Sequence, residues 1–222
     1  MSRSATATPR RAPAGGTAAR GKGTSRRKPS RARALRRRLM LLGGVLVACA
    51  LVAAAVAPFL DRAVQEVALP LRHEDIIRQQ ASDKNLDPAL IAGVIYVESR
   101  FRDQTSHAGA KGLMQLLPST ADYIARKSGG TSFQHGDLAR PQINIAYGSW
   151  YLAYLQRKYG SNEILTLAAY NAGEGKVDEW IGAGRRPHEP GRIPFPETRE
   201  YVKQVLAARA QYRRDYKREL GL

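Results

Sequence analysis

A run of 22 residues without a charged side chain, residues 39–60, divides this chain of 222 residues into two unlike parts. A helix needs about 20 apolar residues to cross a bilayer, so the run predicts a single N-terminal transmembrane helix. Thirteen of the 36 Lys and Arg residues precede it, in residues 1–38, and the first acidic residue is Asp61. Because arginines beside a membrane span stay in the cytoplasm, everything after the run is expected on the outer side of the inner (cytoplasmic) membrane.

Other interpretations of the run remain open. A buried helix of a soluble protein is one. A cleavable signal peptide is another, because Ala55-Val56-Ala57 has the small residues of a cleavage site, although Pro58 follows and the run exceeds the roughly 7–15 apolar residues usual in such signals. Cys49, the single cysteine, ends a Leu-Val-Ala-Cys sequence similar to a lipoprotein processing box, and it excludes a disulfide within the chain. We favour a retained membrane anchor.

The basic tail, residues 1–38, is composed mainly of Ala, Arg, Gly, Ser, Thr and Pro, and such a composition predicts disorder. It carries 13 of the formal net charge of +17, so the remainder of the chain is only mildly basic at +4. Arginine clusters also bind nucleic acids, but this tail has no aromatic residue on which bases could stack. We therefore predict no nucleic-acid partner and a membrane contact through the N-terminal helix.

The rest of the chain predicts a mostly α-helical domain in residues 72–213, between a juxtamembrane connector at 61–71 and a C-terminal tail at 214–222. Apolar residues recur at helical spacing, and no segment shows a convincing strand alternation. The aromatic stripe on the fourth predicted helix, formed by Tyr147, Trp150, Tyr151 and Tyr154, is interpreted as core. Helices are expected at residues 72–84, 88–99, 118–127, 143–159, 162–171 and 198–217, with a short segment through Trp180.

One of these helices carries a carboxylate on its apolar face. The helix starts after Asp87, its apolar face carries Ile91, Val94 and Ile95, and the next position on that face is Glu98. Burial disfavours a charged carboxylate, so the pKa of Glu98 should rise and the side chain should hold a proton near neutral pH. That property is required of a general acid.

Four segments in order resemble the motifs of the lytic transglycosylase domain of the goose-type lysozyme superfamily. They are Glu98-Ser99, then SHAGAKGLMQLLP at 106–118, AYNAG at 169–173 and PFPETREYV at 194–202. The resemblance covers about residues 72–213 and implies a lysozyme-like helical domain that cleaves between N-acetylmuramic acid and N-acetylglucosamine in peptidoglycan without water. Glu98 matches the residue that acts as acid and then as base in this family. The reaction that the resemblance implies leaves a 1,6-anhydro end on the muramyl residue.

The same resemblance implies substrate-binding roles in the later motifs. Ser106 matches the serine beside the catalytic glutamate, Gln115 a contact to an N-acetyl group, and Tyr170 a hydroxyl directed at the reacting centre. Asn171 is implied to support the cleft and Glu197 to line it. Each residue also has a structural interpretation. Ser106 would be a loop serine bound to its own backbone, Gln115 an amide that satisfies a backbone group, and Tyr170 a core tyrosine. Asn171 would be a helix cap, and Glu197 a carboxylate favoured by a helix dipole.

No cofactor and no metal site are predicted. The four histidines lack ligand spacing, and the calcium-like start at residues 83–87 has Pro88 in place of the required glycine. The nearest acid after Glu98 is Asp103, expected in a solvated loop, so an internal hydroxyl would replace water as acceptor.

The leading hypothesis is thus a membrane-anchored lytic transglycosylase with peptidoglycan glycan strands as its partner. The alternatives are a hydrolytic muramidase of the same fold and a non-catalytic peptidoglycan-binding scaffold, which the presence of Glu98 disfavours.

Overall fold

The computed structural model of the chain describes residues 31–129 and 132–222. Most of the predicted basic tail, residues 1–30, lies outside the described residues. The first helix, α1, runs over Arg31–Ala68, so it begins eight residues before the predicted membrane span and extends through most of the predicted connector. Ala, Leu and Arg, which fill residues 31–38, are good helix formers, and this explains the early start.

The remaining described residues form the mostly helical domain that the sequence predicts, with two short 3₁₀ turns and no strand. Its α-helices are α2 (Glu74–Lys84), α3 (Pro88–Ser99), α4 (Pro118–Ser128), α5 (Pro141–Lys158), α6 (Glu163–Ala172), α7 (Glu174–Gly182) and α8 (Pro196–Asp215). Lys111 makes isolated bridges to Thr105 and Leu116 in the loop between α3 and α4.

The helix boundaries follow local capping chemistry. The Asp87 side chain accepts a hydrogen bond of 3.0 Å from the Ala89 N–H at the start of α3, and Asn162 accepts one of 3.1 Å from the Leu165 N–H at the start of α6. Asn85 ends α2 in the left-handed conformation, with φ 53°. The start of α3 after Asp87 agrees with the sequence prediction.

Helix α3 is the centre of the domain, and it packs along α8. Ile91, Val94 and Ile95 are fully buried. Gly93 allows the close approach of the two helices, because a Cβ atom there would lie 3.0 Å from the Arg209 backbone nitrogen. The side chain of the same Arg209 binds Asp87 at 2.5 Å, which ties the start of α3 to α8. The register of α3 against α8 is therefore fixed by close packing and by an ion pair.

The loop between α3 and α4 is held by a buried side chain of α5. Asn144 is fully buried, and its Oδ1 accepts a hydrogen bond of 2.8 Å from the Met114 N–H. Its Nδ2 donates to the carbonyl oxygens of Lys111 at 2.9 Å and Leu138 at 3.0 Å. Gly112 has φ 74°, and a Cβ atom there would overlap the Asn144 amide, so only glycine fits. One buried amide thus anchors the loop on the core.

The aromatic stripe of α5 packs on the core, as predicted. Trp150 stacks on Tyr154 with ring centroids 5.6 Å apart, and the Tyr154 hydroxyl donates a hydrogen bond of 3.0 Å to Glu174. The Tyr123 hydroxyl in turn donates to Tyr154 at 2.8 Å. These contacts hold α4, α5 and α7 together beside the loop.

Candidate active site

A cleft of about 480 Å³ opens where the end of α3, the following loop, the end of α6 and the start of α8 meet. It brings together all six residues that the sequence singled out, although they come from four separate segments of the chain. These six lining residues are Glu98, Ser106, Gln115, Tyr170, Asn171 and Glu197.

Glu98 lies in the last turn of α3, half-buried at the wall of the cleft. Burial raises the pKa of Glu98 to about 7, while a hydrogen bond from Tyr201 acts in the opposite direction. The Tyr201 hydroxyl donates that bond to Glu98 Oε1 over 2.8 Å. Near neutral pH the protonated and ionised forms of Glu98 are therefore both populated, so one side chain can release a proton and later accept one.

Tyr201 is a site residue that the sequence does not single out, because its position in the PFPETREYV segment also fits an ordinary core residue of the last helix. It is buried on α8, one helical turn after Glu197. Burial and the neighbouring charge of Glu98 raise the pKa of its hydroxyl well above the usual value, so it stays a donor. A signal existed in its spacing of four residues from Glu197, which places both on one face of the helix.

The Tyr170 hydroxyl donates a hydrogen bond of 2.9 Å to the Met114 carbonyl oxygen rather than pointing freely at the cleft. Burial, followed by the charge of Glu98, raises its pKa well above the usual value. The phenol therefore keeps its proton, and its oxygen can still accept a hydrogen bond. Its ring packs against Tyr151, a further cleft residue whose pKa is raised by burial to about 12. The sequence analysis assigned Tyr151 to the core alone.

Ser106 and Gln115 both bind the loop that carries them. The Ser106 hydroxyl accepts a hydrogen bond of 3.1 Å from the Ala110 N–H, and the Gln115 amide nitrogen donates to the carbonyls of Gln104 at 3.0 Å and Gly112 at 2.7 Å. These are the backbone contacts that their structural interpretations describe. Each keeps one polar function for a ligand, namely the hydroxyl hydrogen of Ser106 and the amide oxygen of Gln115.

Asn171 and Glu197 are the exposed members of the site. Asn171 lies in the last turn of α6, but Gly173 is the capping residue, so the helix-cap interpretation of Asn171 is wrong. Glu197 lies in the first turn of α8 and brings a second carboxylate to the cleft. Asp103 is exposed, as predicted for a solvated loop residue. Within residues 31–129 and 132–222, no three His, Cys, Asp or Glu side chains form a group suited to a metal ion.

A helical domain with a shielded carboxylic acid in a cleft lined by hydroxyl, amide and aromatic groups defines the lysozyme-like class. Within that class the chain belongs to the transglycosylase SLT domain family, whose model matches residues 75–189.

The relatives agree with this assignment. The chain is 38% identical over 154 residues to the soluble lytic murein transglycosylase of Escherichia coli strain K12, and the match covers 67% of this chain and 24% of that protein. It is 33% identical over 162 residues to membrane-bound lytic murein transglycosylase C of Actinobacillus pleuropneumoniae serotype 5b, covering 62% of this chain and 44% of the relative. The chain thus spans less than half the length of these curated relatives.

A solved structure has the same fold. An inactive mutant of the lytic transglycosylase Slt from Pseudomonas aeruginosa superposes with a TM-score of 0.64 at 33% identity, over 69% of this chain and 26% of that one.

Proposed function

We propose that this protein is a peptidoglycan lytic transglycosylase that cleaves the β-1,4 bond between N-acetylmuramic acid and N-acetylglucosamine. The observation that carries the proposal is Glu98, a carboxylic acid with a pKa of about 7 in a cleft lined by hydrogen-bonding groups. The names of the relatives and membership of the SLT family support the same substrate.

Glu98 acts twice in the proposed reaction. Its proton goes to the glycosidic oxygen as the bond from C1 of the muramyl residue to that oxygen breaks, which leaves an oxocarbenium-like centre and an ionised Glu98. The C6 hydroxyl of the same sugar then attacks C1, and its proton returns to the Glu98 carboxylate. The product carries a 1,6-anhydro end, no water is consumed, and the acid is regenerated. An internal hydroxyl gains over water because it is already held close to C1.

Tyr201 supports both halves of this cycle. Its hydrogen bond favours the ionised form that exists after the first proton transfer, while burial favours the protonated form that exists before it. Neither form is then stabilised so strongly that the other step becomes slow. Ser106, Gln115, Tyr170 and Asn171 supply the remaining polar groups for the sugar and its N-acetyl substituents.

The proposal includes a single-pass anchor that holds the catalytic domain outside the cytoplasm. Residues 39–57 form a helical stretch long and apolar enough to cross a bilayer, and none of it is buried within the protein. One relative of the chain is named a membrane-bound lytic murein transglycosylase. A signal sequence near the N-terminus can pass the same test of length and composition. A reporter fused after residue 71, together with the N-terminal sequence of the mature protein, distinguishes the two.

The deciding experiment is mass analysis of the muropeptides that the full chain releases from purified peptidoglycan. We expect products that end in 1,6-anhydro-N-acetylmuramic acid, and we expect Glu98→Gln to abolish their release without unfolding the protein. Equal rates for the parent and Glu98→Gln would remove Glu98 from the reaction.

A hydrolytic muramidase is the second candidate, because Glu197 brings another carboxylate to the cleft. Such an enzyme would use that carboxylate as base or nucleophile and would leave reducing ends. The same mass analysis separates the two reactions, since the hydrolytic product is heavier by one water. The Glu197→Gln variant separates them again, because only the hydrolytic reaction needs a second carboxylate for chemistry.

A further inference from the structure

A second concave surface lies on the segment that joins α7 to α8. It has a volume of about 470 Å³, and its lining contains three guanidinium groups, one imidazole and one carboxylate. We call it the arginine pocket; it is lined by Arg185, Arg186, Pro187, His188, Glu189 and Arg192.

The arginines of this pocket are not used in internal ion pairs. Within the part of the chain that the structure describes, Arg185, Arg186 and Arg192 have no carboxylate partner, whereas Arg209 and Arg213 on α8 are paired with Asp87. Guanidinium groups stay charged at every relevant pH, so three of them around one hollow repel one another. An anion bound there relieves that repulsion, and carboxylates match the paired N–H groups of arginine.

The pocket is held in shape by hydrogen bonds at both ends of its segment. Pro187 is buried, and its carbonyl oxygen accepts a hydrogen bond of 3.2 Å from the Asn162 amide. Ile193 is fully buried, and its carbonyl oxygen accepts bonds of 3.2 Å and 2.8 Å from the Arg199 guanidinium. A ligand therefore does not have to order this backbone, which lowers the entropic cost of binding.

The pocket is also close to the cleft along the chain. Arg192 precedes Glu197 by five positions, and a fully extended chain of that length spans at most about 18 Å. Between them, Phe195 packs edge-on against Trp180 with centroids 5.1 Å apart, which fixes the path of the segment toward α8. Arg192 and Glu197 are therefore at most about 18 Å apart, a distance that a substituent on a ligand in the cleft can span.

We propose that the arginine pocket binds the carboxylates of the peptide stem attached to the glycan strand in the cleft. This inference rests on the proposed function, because peptidoglycan carries such stems on its muramyl residues. A stem of about four residues extends roughly 14 Å, which is comparable with the separation of the two sites along the chain. Attachment to a bound strand raises the local concentration of the stem, so even exposed ion pairs contribute to affinity.

The first test measures binding without cleavage, in the Glu98→Gln background of the full chain. Glycan strands with intact stems, with stems whose carboxylates are converted to amides, and with stems removed by an amidase are compared by co-sedimentation. We expect Arg185→Gln/Arg186→Gln to weaken binding to intact strands roughly three- to tenfold and to have a smaller effect on amidated or stripped strands. Arg72→Gln/Arg218→Gln removes the same charge at exposed positions outside the pocket and is the matched control.

The second test measures cleavage by the otherwise unmodified protein. The ratio of kcat/KM on intact strands to that on stripped strands should fall in Arg185→Gln/Arg186→Gln through a higher KM, and Arg192→Gln should reproduce part of that fall. An unchanged ratio, or an equal fall in the control variant, overturns the inference.

The Arg185→Gln/Arg186→Gln variant could instead lose binding to vesicles of anionic phospholipid while binding the stems as the parent does. That result would assign the pocket to phosphate and would also overturn the inference. Failure of the proposed function looks different, because reducing ends or an active Glu98→Gln variant would appear whatever the arginine variants do.

Discussion

Replacing Tyr201 by Phe should move the pH dependence of activity upward. Tyr201 donates a hydrogen bond of 2.8 Å to Glu98, and that bond lowers a pKa that burial has raised to about 7. A hydrogen bond to a charged group contributes about 1.5–3 kcal/mol, and part of it persists when the acceptor is neutral, so its loss should raise the pKa of Glu98 by roughly 1.

The expected size of the effect follows from the fraction of protonated Glu98. In the free enzyme, kcat/KM requires the acid form, so it is full below neutrality and is lost as pH rises through the pKa of Glu98. At pH 8 about one tenth of the parent should be active, against about one half of Tyr201→Phe, each relative to its own plateau. The plateau itself should be lower, because the ionised intermediate loses a donor.

The assay is the initial rate of glycan-strand cleavage at low substrate concentration, measured from pH 5 to pH 9. Tyr123→Phe is the matched control, since it removes a hydroxyl bonded to Tyr154 and outside the cleft. Its profile should coincide with that of the parent. A Tyr201→Phe profile that is unchanged, or displaced toward lower pH, would refute the assignment of Glu98 as the acid.

Three further changes test the stability of the site. Glu98→Gln should raise the free energy of unfolding by on the order of 2 kcal/mol at pH 8 and have little effect at pH 4, because the raised pKa of Glu98 costs stability progressively as pH rises from 4.5 to about 7; urea unfolding at both pH values checks this. Asn144→Leu should lower the unfolding free energy by about 3 kcal/mol or more, since three backbone groups lose their partner, and a loss below about 1 kcal/mol would contradict the anchoring role. Gly93→Ala should lower the melting temperature and kcat together. The added methyl group presses on the Arg209 and Val205 backbone, and this strain of about 1–2 kcal/mol should outweigh the better helix propensity of alanine. A more stable, fully active variant would disprove the close packing.

Local chemistry made much of the fold predictable from the sequence. The caps at Asp87 and Asn162 depend on side chains within three residues, and the apolar spacing of α3 depends on one helix. The buried position of Glu98 could be inferred in the same way, because it continues the apolar face of its own helix.

Contacts between distant segments could not be inferred in that way. Tyr201 is 103 residues from Glu98; its spacing from Glu197 places it on the same face of α8, but that spacing does not show that its hydroxyl bonds Glu98. Gln115 has the left-handed φ of 45°, and its amide nitrogen closes the loop through Gln104 and Gly112, which no helical or strand periodicity records. The family resemblance located these segments, but the atoms that their side chains bind are set by tertiary packing.

The helix pair that carries the acid also sets the pH range in which the domain is most stable. Burial alone would raise the pKa of Asp87, but hydrogen bonds from Arg209 and Arg213 hold it below the usual 3.8, so this contribution is present above that value and is lost as pH falls. At the other end of α3, the cost of burying Glu98 begins as pH rises above 4.5 and is complete above about 7. Both effects favour mildly acidic conditions, in which Glu98 also holds the proton that it must donate. The raised pKa therefore already costs stability between pH 4.5 and about 7, where Glu98 still holds its catalytic proton, and the tie between α3 and α8 offsets that cost over the working range.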